Sequence, residues 1–352
     1  MPDSRPSTLL ATGSSIFHGT GRLLWPLAAL GFLLLINARY NSSFFNLRMQ
    51  DGRLVGSMVD VFRHGAPVTL LSIGMCLVIA TSGIDLSVGA VMAISGGVAA
   101  SLIVRPHNSP LGFLDLHKST AAIIAISLLV ALACGLWNGL LVVLLKLQPI
   151  VATLILMVCG RGIAKLLTNE RIIIIPDSPF VFLGRGTLWH LPFAIQLSLF
   201  SALFVGIFTR GTALGLFIES VGNNPKASRL AGVPAGVVKV AVYSLCGLCA
   251  GLAGLIATAD IQRADSANTG LGLELDAILS VSLGGASLAG GRFSLLGTIL
   301  GSILLQTLTT TLYALNVRPE RTMVIKGALV VAVCLLQSQK FREKFLRRRK
   351  GA

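Results

Sequence analysis

The sequence predicts an all-α fold, a polytopic membrane helical bundle of about ten transmembrane helices with cytoplasmic termini and a cytoplasmic coupling helix. Of the 352 residues, 54% are hydrophobic and only 12% are charged, whereas about 25% of residues in a soluble domain are charged. The apolar residues also fall in long runs rather than at amphipathic spacing. Because lipid offers the backbone no hydrogen-bond partners, each run that crosses a bilayer must be helical.

Ten apolar runs approach the length that a helix needs to cross a bilayer, about 20 residues. In chain order they are 23–38, 67–81, 86–104, 121–145, 150–167, 191–208, 237–259, 275–288, 295–315 and 323–336. The first run has no clear small-residue cleavage site, so we interpret it as a span and not as a signal peptide. Residues 1–22 are then an N-terminal tail and residues 23–338 one transmembrane domain.

The net charge of +15 lies in loops and at the C-terminus, beside the apolar runs. This pattern is typical of the positive-inside bias and of contact with anionic lipids, so we predict a bilayer and no nucleic acid as partner. The basic tail 339–352 places both termini of a ten-span protein in the cytoplasm, together with the loop at about 210–236. Against this, Arg39, Arg48, Arg53 and Arg63 fall in the first outer loop.

Two of the predicted spans are interrupted, at residues 81–89 and 282–292, by serine, glycine and charged residues. Irregular backbone at membrane depth is tolerated where it is buried in protein or lines a cavity. A carboxylate such as Asp85 at the bilayer centre costs about 2.5–3.5 kcal/mol on insertion scales. We therefore expect Asp85 to face a pathway, to pair with a partner, or to lie near the surface in a tight turn.

A polar island at residues 218–232 has the sequence of a short helix. Asn224 can cap its N-terminus, and Pro225 suits the first helical position. Gly232 can close the helix in a left-handed conformation, and Pro234 blocks its continuation. A helix of roughly two turns is unstable alone in water. We therefore predict that it docks onto another protein at the membrane surface, the alternative being an ordinary loop between two spans.

The sequence carries no motif of an enzyme. Glycine is nowhere followed by lysine and then serine or threonine, so we expect no nucleotide-binding loop. The sequence has neither a G-x-S-x-G elbow nor an H-E-x-x-H motif. The pair Cys246 and Cys249 has the spacing of a redox or metal site but lacks a second pair. We predict no catalytic residue, no metal and no cofactor, so uphill transport would need a separate ATPase subunit.

Six motifs carry a resemblance to a known family. They are 77–89, Trp137-Asn138-Gly139, 146–154, Gly160-Arg161-Gly162, 221–233, and 274–278 with 284–291. Over residues 50–336 the chain resembles the membrane permease subunits of bacterial sugar ABC importers of the ribose, arabinose and galactose class. Within this class it looks most like the galactofuranose permeases, on residues 50–54, 259–261 and 264–265.

The resemblance implies a multi-pass permease of the bacterial inner membrane that imports a monosaccharide, galactofuranose or a related sugar. It implies three partners: an ATP-binding subunit on which ATP acts, a second permease subunit of the same or a different chain, and a periplasmic sugar-binding protein. The ATPase-coupling residues would be Glu219, Gly222, Asn223, Lys226, Arg229 and Gly232. We place Asp85, Asn138 and Asp276 in the pathway or its gate. The alternative function is a stand-alone channel or facilitator for sugars or small polar solutes.

Overall fold

The computed structural model describes residues 14–40, 44–50, 52–104 and 119–337. This part of the chain is mostly helical. The helices are α1 (Ser14–Tyr40), α2 (Ser57–Ala80), α3 (Val88–Val104), α4 (Thr120–Val143), α5 (Pro149–Leu167), α6 (Phe182–Arg185), α7 (Phe193–Gly211), α8 (Ala213–Asn223), α9 (Pro225–Leu230), α10 (Ala235–Ile261), α11 (Leu273–Leu283), α12 (Leu295–Ala314) and α13 (Pro319–Gln337).

Six of the described helices are long and apolar enough to cross a membrane: α2, α4, α5, α7, α10 and α12. Two shorter apolar helices, Pro26–Tyr40 and Val88–Val104, accompany them. The prediction of a polytopic helical bundle is confirmed. The count of about ten spans and the cytoplasmic termini stay predictions. Helix α1 begins within the predicted N-terminal tail, and the basic tail 339–352 lies outside the described residues.

Helix α10 forms the centre of the bundle and packs against α4, α2 and α3. Glycine permits the closest of these approaches, because a Cβ on Gly247 would stand 2.9 Å from the Cα of Gly135. One turn along, a Cβ on Gly139 would stand 2.9 Å from the Cα of Val240. The glycines spaced four apart on α4 (Gly135 and Gly139) therefore let α4 and α10 approach closely.

Short antiparallel strand pairs gather at one end of the bundle, which we call the strand end. They are β1 (Arg48–Gln50) with β2 (Arg53–Val55), β3 (Ile173–Ile174) with β6 (Arg263–Ala264), and β4 (Thr187–Leu188) with β5 (Leu191–Pro192). The amide of Leu54 donates to the carbonyl of His190 over 3.0 Å and so joins two of these regions. The described chain therefore adds small strand pairs to the predicted all-α fold.

The opposite end, which we call the short-helix end, carries α8 and α9. Helix α2 runs from the strand end to this end, where the amide of Gly291 donates to the carbonyl of Ala80 over 2.9 Å. Helix α7 leads into α8, and α10 leaves from α9 and returns to the strand end. Both interrupted segments of the sequence thus contact the short-helix end.

Two predicted boundaries are wrong. Helix α2 begins at Ser57 and not at residue 67, so Arg63 lies inside a helix and not in an outer loop. Pro67 is contained within α2, which membrane helices tolerate when neighbouring groups satisfy the freed backbone. Helix α11 ends at Leu283, five residues before the predicted end, because Gly284 and Gly285 (φ +81°) turn the chain away.

Candidate functional site

The predicted capping of α9 is confirmed at both ends. Asn224 Oδ1 accepts hydrogen bonds from the amides of Lys226 (3.1 Å) and Ala227 (3.0 Å). At the other end Gly232 has φ +83°. Its amide donates to Arg229 over 3.0 Å, and the amide of the next residue, Val233, donates to Ser228 over 2.9 Å. This pair of bonds is a Schellman motif, so the six-residue helix needs no outside group to satisfy its ends.

A second short helix, α8, precedes α9 and was missed by the sequence analysis. Its N-terminus is capped by Thr212, whose hydroxyl accepts from the amide of Leu214 over 3.2 Å. The signal was present, since apolar residues recur at helical spacing at positions 214, 217, 218 and 221. The predicted coupling residues therefore divide between two helices. Glu219, Gly222 and Asn223 lie on α8, Lys226 and Arg229 lie on α9, and Gly232 follows α9.

The helix pair α8–α9 buries one face and exposes the other. Ile218 and Val221 are fully buried in the main core, whereas Leu230 is 91% exposed. Lys226 and Arg229 are also exposed, on the same helix as Leu230. This arrangement leaves an apolar tip flanked by two cations on the outside of the short-helix end.

The buried face of α8 meets the interrupted segment that follows α2. Ser82 Oγ donates to the carbonyl of Gly222 over 2.7 Å and lies 2.9 Å from the carbonyl of Ala289. A Cβ on Gly222 would collide with the carbonyl of Ala80, so this position has no room for a side chain. The backbone of α8 at Gly222 is therefore in direct contact with residues 80–82.

Asp85 lies three residues beyond Ser82 and is buried, with 1% of its surface exposed. Its Oδ1 accepts from the amide of Ser87 (2.9 Å) and from the Ser87 hydroxyl (2.6 Å). Asn138 of α4 donates to Ser87 Oγ over 2.8 Å and approaches Asp85 Oδ1 to 3.4 Å. Asp85 therefore lies in a tight turn, where its side chain is buried in protein and hydrogen-bonded.

The structure brings together two of the three predicted pathway residues. Asp85 and Asn138 share a hydrogen-bonded cluster that includes Ser87, which the sequence analysis did not select. Asp276 belongs to a different contact, because its Oδ2 lies 2.7 Å from the ammonium of Lys326. This ion pair joins α11 to α13. No local pattern could reveal a partner fifty residues away on another helix.

The part of the chain that the structure describes contains no group of three or more histidine, cysteine, aspartate or glutamate side chains that could hold a metal ion. Cys246 and Cys249, the pair with redox spacing, lie on α10 as free, buried thiols. They pack in the main hydrophobic core. Their environment is that of small core residues.

Residues 57–334 match the family described as branched-chain amino acid transport system, permease component. The chain belongs to this permease family. The match includes α2, both interrupted segments, the helix pair α8–α9 and the ion pair between Asp276 and Lys326. The members that resemble this chain are transport subunits and not enzymes.

Among curated relatives, the permease is 43% identical to the galactofuranose transporter permease protein YtfT of Escherichia coli K12, over 97% of this chain and 96% of the relative. It is 35% identical to the fructose import permease protein FruF of Bifidobacterium longum, over 91% and 89% of the two chains. It is 31% identical to the ribose import permease protein RbsC of E. coli K12, over 89% and 93%. No solved structure matches the chain. The resemblance to sugar importer permeases is confirmed.

Proposed function

We propose that this chain is the transmembrane permease subunit of an ATP-driven importer that carries a monosaccharide, galactofuranose or a related sugar, across the bacterial inner membrane. The named substrates of its relatives, galactofuranose, fructose and ribose, support a sugar as cargo. ATP would act on a separate subunit. A periplasmic sugar-binding protein would deliver the sugar at the strand end, and a second permease subunit would complete the membrane part.

The observation that carries this proposal is the contact between the helix pair α8–α9 and the first interrupted segment, residues 81–89. The outer face of the pair offers Leu230 to a partner, and Lys226 and Arg229 favour a partner with acidic side chains around an apolar pocket. The inner face touches Ser82, three residues before Asp85. When the two ATPase subunits close, a displacement of α8–α9 would thus be transmitted to the Asp85 cluster through the backbone between Ser82 and Asp85.

The test is the substitution Leu230→Asp in the full chain, expressed with its ATP-binding subunit. Removing an exposed apolar anchor and adding a negative charge should abolish co-purification of that subunit, while the permease still inserts. Ile174→Asp is the matched control, because Ile174 is 74% exposed at the opposite end. This variant should retain the subunit.

Two results would contradict the proposal. One is normal co-purification and normal ATP-driven uptake by the Leu230→Asp variant. The other is passage of sugar down its gradient in vesicles that hold the wild-type chain alone, which would indicate the stand-alone facilitator.

A further inference from the structure

A cavity of about 300 Å³, partly open to the outside, lies between the helices at the strand end. Helices α2, α3, α7, α10, α11 and α12 contribute to its wall, together with the turn at Thr269 and Gly270. Its volume is at the lower end of the range for small-molecule sites, about 300–1,000 Å³. Most of the wall is apolar, and a few polar side chains reach it.

Three of the polar groups form a connected cluster. The guanidinium of Arg63 on α2 pairs with Asp260 Oδ1 on α10. His64 Nδ1 lies 3.5 Å from the other oxygen, Asp260 Oδ2. The Nε of Arg63 is buried and has no hydrogen-bond partner among the described residues. Gln306 of α12 contributes an amide to the lining.

We propose that this cavity binds a neutral sugar inside the permease, a proposal that rests on the proposed transport function. Sugar hydroxyls both donate and accept, and the cavity offers both kinds of partner. Asp260 accepts, the Arg63 guanidinium donates, and the Gln306 amide does both. The apolar wall would cover the C–H faces of the ring. A few polar groups in a mostly apolar wall are the usual composition of a site for a small ligand.

The charges of the lining favour a neutral ligand over an amino acid. Arg63 and Asp260 compensate one another across the cavity wall. A zwitterionic amino acid would bring two further charges into this site, and each would lose its water in exchange for partners whose own charges already compensate one another. A polyhydroxylated neutral ligand can bond to the pair as it stands.

The wall of the cavity also contacts the interrupted segment. Gly270, which lines the cavity, packs so tightly against Gly89 that a Cβ on either residue would collide with the other's carbonyl. Arg161 Nη1 holds the same turn by donating to the carbonyl of Thr269 over 2.5 Å. Residues 81–89 thus contact α8 through Ser82 and the cavity wall through Gly89. A shift of this segment would change the shape of the sugar site.

The test measures equilibrium binding of radiolabelled D-galactose to the purified complex of permease and ATP-binding subunit, without the periplasmic protein. L-leucine serves as the comparison ligand. The wild type should bind galactose and not leucine. Gln306→Leu removes one polar partner at similar volume and leaves the ion pair intact, so it should weaken galactose binding about three- to tenfold, as expected for one neutral hydrogen bond. Asp260→Asn should weaken it further.

The matched control is Gln196→Leu. Gln196 lies at the same end of the bundle and donates to the carbonyl of Leu191 over 3.2 Å, but it does not line the cavity. This variant should bind galactose as the wild type does. Ala257→Phe, which fills the cavity, should abolish uptake in proteoliposomes of the complete importer while ATP hydrolysis continues.

The inference is overturned if the wild-type importer takes up galactose but Gln306→Leu binds it unchanged and Ala257→Phe still transports it. It is also overturned if leucine binds better than galactose. Failure of the proposed function looks different, because the wild-type importer would then take up no sugar of a panel when ATP is supplied.

Discussion

Ser82 connects three separate parts of the chain although its side chain is small. Its hydroxyl reaches the carbonyls of Gly222 on α8 and Ala289 in the second interrupted segment, and its own φ is +61°. A non-glycine residue in this conformation is held there by its surroundings, at a cost of about 1–2 kcal/mol. The conformation and the two contacts occur at the place where α8 meets the turn that leads to Asp85.

We expect Ser82→Ala to separate assembly from transport. Loss of the hydroxyl leaves the Gly222 carbonyl without this donor and loosens the link between α8 and residues 81–89. The ATP-binding subunit should still co-purify and hydrolyse ATP, while sugar uptake per ATP hydrolysed should fall several-fold. Reconstituted vesicles in which both rates are followed would measure this ratio.

Ser72→Ala provides the control for that substitution. Ser72 is also buried, but among the described residues its hydroxyl bonds only to Val68 of its own helix, over 2.7 Å. An equal loss of coupling in both variants would mean that the effect comes from general destabilisation and not from the Ser82 contact.

The role of an individual residue could be predicted from the sequence where its interactions are with residues close to it in the chain. Asn224 and Gly232 could be assigned because capping depends on neighbours within a few positions. Asp85 could be recognised as costly in an apolar run, and its bonds to Ser87, two residues on, are local. Its contact with Asn138 of α4 depends on the tertiary fold. Arg63 was placed in a loop because Pro67 was taken as a helix start, and its pairing with Asp260 was therefore missed.

The helix pair α8–α9 depends on its own capping and on contact with the bundle. Helix α9 has six residues, fewer than an isolated helix needs in water. The Asn224 cap and the Schellman motif satisfy its ends, and α8 anchors it through Ile218 and Val221. The sequence predicted α9 and not α8, because residues 209–217 were assigned to no element and Ile218 and Val221 were counted in the polar island.

Asn224→Ala should loosen α9 without unfolding the bundle. The substitution removes the acceptor of two amide bonds, and loss of such a cap costs about 1 kcal/mol. Amide hydrogen exchange at Lys226 and Ala227 should become roughly fivefold faster, since 1.4 kcal/mol corresponds to about tenfold. Exchange in α10 should not change.

Asn224→Asp should restore slow exchange, because a carboxylate caps equally well. Fast exchange in the aspartate variant as well would show that the Asn224 side chain does not act as the cap.

At the scale of the whole molecule, the ion pair between Asp276 and Lys326 fastens α13 to the bundle through α11. Their side chains are 14% and 22% exposed. Asp276→Asn leaves the ammonium without its partner and should destabilise the protein by about 1–3 kcal/mol, between the values for exposed and buried pairs. Thermal unfolding of the purified protein would measure this loss.

The charge exchange Asp276→Lys with Lys326→Asp distinguishes a structural role from the predicted role in the pathway. Recovery of both stability and uptake would show that the ion pair has only a structural role. Recovery of stability without uptake would support Asp276 as a pathway or gate residue.

The cavity and the helix pair lie at opposite ends of the bundle, and residues 81–89 contact both. Natural selection can therefore change them independently. Substitutions around Gln306 would alter the preferred sugar without affecting the surface at Leu230, and substitutions at Leu230 would alter the ATPase partner without affecting the sugar. Duplicated copies of such a gene could acquire new sugars while they continue to share one ATPase, provided that the segment between the two ends stays the same.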